Sequence, residues 1–188
     1  MTAQLVALCS PAPGCGKSEV ARHLVDAHGF NLIKFADPLK NMVRSLLYDA
    51  TNWAASELIE RYVDGDLKET IIPEIGVSSR HLQVTLGTEW GRDLIRADLW
   101  LHLTRQRIVA RMEAGINVVV DDMRFQNELA MLEELGATTA RVTRPGFIPS
   151  TTHRSEGALD EAHVDCILRN TADIAYLQHQ TDRLITHA

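Results

Sequence analysis

The chain has 188 residues, 45% hydrophobic and 23% charged, with a formal net charge of −6. That length fits one domain with a substantial core. The acidic balance excludes a protein that grips duplex nucleic acid by counterion release, yet allows a local basic pocket for one small anion.

The predicted elements alternate. "QLVALCS" (4–10) reads as a buried strand, and a kinked loop leads to a helix from Lys17 to His28. "NLIKFA" (31–36) is a second strand. Asp37 is placed to cap the next helix, with Pro38 at the first position, where a missing N–H costs nothing. Leu39, Met42, Val43, Leu46 and Leu47 form its apolar stripe. A short helix over 56–65 and a loop over 64–77, broken by Pro73 and Gly76, follow. Ser78 or Ser79 caps a helix through "RHLQVTLGTEWGRDLI", in which Gly87 and Gly91 weaken the helix and mark close approach of another group. Asp98 caps "LWLHLTRQRIVARMEAG", which stops at Gly115.

The second half repeats the pattern. "INVVVDDMRF" (116–125) opens with the most strand-like run of the chain, and a helix over 126–135 stops at Gly136. "TTARVTRP" (138–145) is a strand, 146–157 a mobile loop, "HVDCILRN" a last strand and "TADIAYLQHQTDRLI" a last helix. This alternation predicts a three-layer α/β fold around a mostly parallel sheet. Three cysteines, Cys9, Cys15 and Cys166, are odd in number and widely spaced. They indicate neither a disulfide framework nor a zinc site, and predict a reduced, cytoplasmic protein. No apolar run reaches the length of a membrane span, and "LVALC" is too short for a signal-peptide core.

The loop before the first helix is "CSPAPGCGKSEV". Gly14, Gly16, Lys17 and Ser18 satisfy the second half of G-x-x-x-x-G-K-[ST], with Pro11 in place of the first glycine. Glycines let successive N–H groups turn inward around phosphate oxygens; the lysine reaches the outer phosphates and the serine hydroxyl reaches magnesium. The helix adds its positive end. The bland alternative is a strand–turn–helix with a solvated lysine. Cys15 reads either as a thiol activated at a helix start or as a small apolar filler.

A phosphate loop of this kind works with an acidic residue at the end of a neighbouring strand. "NVVVDD" offers Asp121 and Asp122, and strand alternation lets only one of them face the nucleotide. Turn-forming aspartates are the plain alternative. Just beyond, "DDMRFQNE" sets Arg124 at the sheet edge where open α/β folds bind ligands, suited to a bidentate grip on phosphate. Glu128 either orients Arg124 or accepts from a ligand; the alternative is an exposed ion pair.

The segments "GCGKS", "FADPLK", "LGTEWGRDLIRADLW", "VVVDDMRFQNE", "RVTRP" and "HRSE", in this order from Leu5 to Asn170, resemble the phage-type deoxynucleoside monophosphate kinase family. The resemblance implies one P-loop kinase domain over 1–188, with a helical monophosphate-binding region over 37–100 and a lid over 144–158. It implies transfer of the ATP γ-phosphate to a deoxynucleoside 5′-monophosphate, with Mg2+. ATP would bind at Gly14, Cys15, Gly16, Lys17, Ser18 and Glu19. Asp37, Glu89, Trp90, Arg92, Trp100, Asp122, Arg124 and Glu128 would bind the acceptor. Lys17, Arg92, Asp122 and Arg124 would be catalytic, Ser18 and Asp122 the metal ligands, and Arg144, His153 and Arg154 lid groups. It also implies small-molecule nucleotides as partners, no nucleic acid or membrane, a homodimer, and host cytoplasm for a phage-encoded chain.

The residues weigh these roles independently. A phosphate acceptor is largely dianionic at neutral pH and needs no strong base; the obstacle is anion repulsion, which Lys17, Arg92, Arg124, Arg141, Arg144 and Arg154 offset. If Asp122 serves the acceptor sugar, Asp121 inherits the metal. Trp90 and Trp100 are either core groups or a wall that stacks on a base and excludes a 2′-hydroxyl. His153 is a lid group or a solvated loop histidine, and Asn170 an adenine contact or a turn residue. Rival functions are a dephospho-coenzyme A kinase-like or adenylate kinase-like enzyme, and a non-catalytic nucleotide switch.

Overall fold

The computed structural model describes residues 3–52, 55–146, 159 and 161–186. The chain divides into two compact units, Met1–Phe35 with Thr104–Ala188, and Ala36–Leu103.

The first unit is built on five strands: β1 (Leu5–Cys9), β2 (Asn31–Ile33), β3 (Val118–Val120), β4 (Thr138–Thr143) and β5 (Cys166–Arg169). Every pairing is parallel, in the order β2-β3-β1-β4-β5. All residues of β1 and β3 are buried. A strand buried on both faces needs cover on both, which is why "LVALC" and "VVV" carry no polar alternation. On one face Val6 and Leu8 pack with Val119, Ala140, Val142 and Leu168, under Val20, Ala21 and Leu24 of α1 (Lys17–His28) and Leu177 and Leu184 of α7 (Ile174–Thr186). Each fully buried side chain of this size contributes about 1.5–3 kcal/mol. The unit also holds α6 (Gln126–Glu134), which buries Leu129, Met131 and Leu132. This is the expected α/β fold, and its sheet is wholly parallel among the described residues.

The second unit is helical. It holds α2 (Asp37–Ala50), α3 (Ser56–Val63), α4 (Ser79–Thr85) and a π-helical segment (Leu86–Ile95); α5 (Leu99–Glu113) begins in it and continues into the first unit. Its core is Val43 and Leu47 of α2, Ile59 and Val63 of α3, and Ile72. Arg44 adds a two-pronged grip on Glu60, at 2.7 and 2.8 Å.

Several boundaries differ from the sequence reading. Ala36, not Asp37, is the cap of α2; Asp37 lies in the first turn, where a carboxylate favours the helix dipole without capping. Ser78 caps α4, accepting from the His81 amide at 3.2 Å. The single helix expected from there changes winding at Leu86. The β3 strand covers only Val118–Val120 of the expected strand-like segment. Most of the loop expected over 146–157 lies outside the described residues.

Candidate active site

The register of the parallel sheet assembles the first half of the site. Val120 is aligned with Ala7 on one side and Ile33 on the other. The next residues of β3, Asp121 and Asp122, therefore leave the sheet beside the end of β1 and abreast of Lys34 and Phe35. Lys34 donates to Asp121 Oδ2 at 3.0 Å, and the Phe35 amide donates to Asp122 Oδ1 at 3.0 Å. The alternation of a strand sends the two carboxylates different ways.

The loop after β1 has the backbone that its glycines permit. Gly14 and Gly16 sit at φ of 80° and 110°, a region that side chains avoid. A Cβ on Gly16 would lie 2.8 Å from Asn170 Nδ2, so the residue is fixed sterically as well. That Asn170 amide donates to the Cys15 carbonyl at 3.1 Å, bracing the loop from the end of β5. Cys15 is buried, as an apolar filler is, while Ser18 is exposed in the first turn of α1. Glu19 pairs with Arg22 one turn along the helix, a local surface contact.

Lys17 donates to Ser10 Oγ at 2.7 Å, and the Ser10 hydroxyl donates to the Ala12 carbonyl at 2.8 Å. Burial, and then the positive charge of Arg124, hold the Lys17 ammonium below its usual lysine range; Asp121 opposes them. The lysine is thus a cation under-compensated by its own protein.

Asp121 is 5% exposed, and its Oδ1 has no hydrogen-bond partner among the described residues. A buried anionic oxygen without a donor is uncommon and points to an absent cation or ligand. Hard divalent cations take carboxylate and hydroxyl oxygens; Asp121 Oδ1 is such an oxygen, while Asp122 Oδ1 accepts from the Phe35 amide. Lys34 and Ser10 were not picked out from the sequence. The signal for Lys34 was its place one residue after β2, but reading it required the β2–β3 register.

Arg124 is exposed. Glu128, 3% exposed on the first turn of α6, accepts from the Arg124 amide at 2.7 Å and the Phe125 amide at 3.1 Å. It ties the backbone at Arg124 and Phe125 to the first turn of α6. Arg141 donates to the carbonyls of Leu159 and Ala162, both at 2.6 Å, so it secures a chain segment. Arg144 is exposed just past β4, while His153 and Arg154 lie outside the described residues.

In the second unit, Glu89, Trp90 and Arg92 share the π-helical segment, a winding that is rare and recurs at functional sites. The Arg96 amide donates to the Gly91 carbonyl at 2.9 Å, five residues back. Gly91 is the close approach that its sequence position foretold: Trp100 lies where a side chain would be. Trp100 is 4% exposed and its indole N–H donates to the Gly87 carbonyl at 2.7 Å. Trp100 thus packs inside the second unit against Gly91, as the core alternative for this residue describes. Trp90, 38% exposed, presents the ring, with its centroid 6.5 Å from that of Trp100. Asp37 is half-buried at the start of α2.

The sequence profile of the deoxynucleotide monophosphate kinases matches residues 50–181, well over half of the chain. The chain belongs to that family. The phosphate loop precedes the matched stretch. A protein of Acanthamoeba polyphaga mimivirus, provisionally named a deoxynucleotide monophosphate kinase, is 28% identical over 93% of both chains. The uncharacterized ORF77 protein of Ictalurid herpesvirus 1 (strain Auburn) is 32% identical over 64% of this chain and 48% of its own. Among solved structures, TT1252 of Thermus thermophilus shares the fold with a TM-score of 0.52 and 15% identity, over 100% of this chain and 98% of that one. This member of the kinase family is a nucleotide kinase. No helix among its described residues is long and apolar enough to cross a membrane.

Proposed function

We propose that the protein transfers the γ-phosphate of ATP to a deoxynucleoside 5′-monophosphate in a magnesium-dependent reaction. The observation that carries this reading is Lys17, a partly buried cation in a glycine-built loop, within reach of the charge of Asp121, whose Oδ1 just past β3 has no hydrogen-bond partner among the described residues. The glycine loop and the start of α1 bind the donor phosphates through N–H groups, and Lys17 balances the charge that the transfer moves. Asp121 and Ser18 hold the metal, which when bound shields the donor phosphates from the anionic acceptor. Arg124, set by Glu128, grips phosphate, and Arg92 adds a second guanidinium. Glu89 and Trp90 receive the acceptor nucleoside, the ring of Trp90 stacking on its base. Arg144, His153 and Arg154 act as lid groups that exclude water during transfer.

The test is ADP release with Mg-ATP against a panel of dNMPs and NMPs. Turnover that requires a deoxynucleoside monophosphate supports the reading; ATP turnover indifferent to every monophosphate overturns it in favour of a switch. In the same panel Trp90→Ala raises the ratio of NMP to dNMP kcat/KM, and an unchanged ratio removes Trp90 from acceptor discrimination. Asp121→Asn raises half-saturating Mg2+ about 10–100-fold, more than Asp122→Asn does. A larger effect at Asp122 would return the metal to that residue.

A further inference from the structure

His23 and His28 of α1 and Asp182 of α7 meet on the outer side of the first unit. Both imidazole Nε2 atoms lie 2.7 Å from the same Asp182 Oδ1, and the three ligand atoms are within 4.8 Å of one another. The rings stand edge to face, with centroids 5.3 Å apart. A carboxylate only accepts, so each Nε2 carries its proton towards Asp182 in this arrangement. The side chains are 15%, 30% and 46% exposed in chain order, so the cluster is supported at one side and open at the other.

The geometry points to a metal site here: two imidazole nitrogens and one carboxylate oxygen that take a zinc-type divalent cation, with a position left open to water. Two nitrogen donors and one oxygen are a ligand set for borderline transition metals, whereas magnesium and calcium prefer oxygen alone. On binding, each ring turns its Nε2 lone pair to the metal with its proton moved to Nδ1, or released if the ring was doubly protonated. The site stands at the C-terminal end of α1, the negative end of the helix dipole, which favours a cation.

This position separates the cluster from the candidate active site. His28 lies eleven residues along α1 from Lys17, about 16 Å along the axis. The cation clips the end of α1 to α7, and α7 is also held by Gln4 Nε2, which donates to the Ile185 carbonyl at 3.0 Å. Leu177 of the same helix would stand 3.3 Å from a Cβ on Gly16, so α7 links the clip to the phosphate loop. The inferred role is structural: metal uptake stiffens the helix pair that carries the loop.

The experiment is calorimetric titration of the full chain with Zn2+ alone, without nucleotide, in an Asp121→Asn background that removes the other candidate metal ligand. One equivalent binds, and the melting temperature rises by about 5–10 °C at a hundredfold excess over the dissociation constant. Co2+ in place of Zn2+ gives visible d–d absorption of a low-coordinate centre. His28→Gln and Asp182→Asn each lower Zn2+ affinity at least tenfold, as the loss of a ligand requires (about 10-fold already follows from loss of a supporting contact). His28, at the helix end, tolerates replacement where His23 is more enclosed, and circular dichroism checks that both variants fold. No stoichiometric uptake, or uptake that both substitutions leave unchanged, overturns the site whatever the outcome of the kinase assay.

Discussion

Replacing Lys17 with methionine lowers kcat by about 10²–10³-fold and raises the melting temperature of the nucleotide-free protein. The two effects share one cause. Lys17 is held below its usual pKa by burial and by Arg124, so folding opposes its protonation. Between the lowered folded value and the ordinary unfolded value, the unfolded chain binds more protons, and stability rises with pH there. Below the folded value the cost is fully present; above the unfolded value it is gone. Methionine keeps much of the apolar stem and removes the charge, so the variant's gain is largest below the lowered folded value and is lost as pH rises through the ordinary lysine range. Ser10 gives up one partner but keeps its bond to the Ala12 carbonyl and is open enough to take water. ATP at a hundred times its dissociation constant stabilises the native protein by about 2.7 kcal/mol, a gain the variant lacks. Scanning calorimetry at two pH values, with and without Mg-ATP, reads all of this. A variant less stable than the native chain at neutral pH would show that Lys17 is not under strain, and one still stabilised by ATP would show that it does not hold phosphate.

What was legible in the sequence follows the range of the forces involved. The helix Lys17–His28 and the strand–helix alternation of a parallel α/β fold rest on local signals: an apolar run, glycines, a periodic stripe; the strand order does not. Gly91 was legible as a position needing room, since a glycine inside a helix pattern has few other reasons to be there. That Trp100 occupies the room was not, because the indole comes from outside the segment and its burial depends on packing. The choice between Asp121 and Asp122 was likewise closed to the sequence, which fixes that the two diverge but not which one meets the Phe35 amide. The His23, His28 and Asp182 cluster carried no pattern at all: an i, i+5 pair becomes a constellation only when a residue over 150 positions away arrives beside it.

Gly91→Ala destabilises the second unit and raises the KM for the acceptor while leaving ATP affinity near native. Two effects compete. Alanine is the better helix former by about 1 kcal/mol, and Gly91 is not at positive φ, so the backbone itself would welcome the change. The added methyl, however, would meet Trp100 Cζ2 at 2.5 Å, Cε2 at 2.8 Å and the Leu86 carbonyl oxygen at 2.9 Å. The indole is buried and tied to the Gly87 carbonyl, and the third neighbour is backbone, so none yields cheaply. Overpacking of this kind costs about 1–3 kcal/mol, enough to cancel the propensity gain and, at about 2–4 °C per kcal/mol, to lower the melting temperature. A second substitution separates packing from propensity. In a Trp100→Phe background the outer indole carbons are gone and only the Leu86 carbonyl contact remains, so Gly91→Ala becomes less destabilising than in the native chain, and the cycle shows a coupling above about 0.5 kcal/mol. The kinetic split follows from what rides on the segment: Glu89, Trp90 and Arg92 shift with the π-helical winding, whereas the phosphate loop is in the other unit. Additive stabilities would mean that Trp100 does not set the winding, and equal rises in both KM values would mean that the segment does not serve the acceptor.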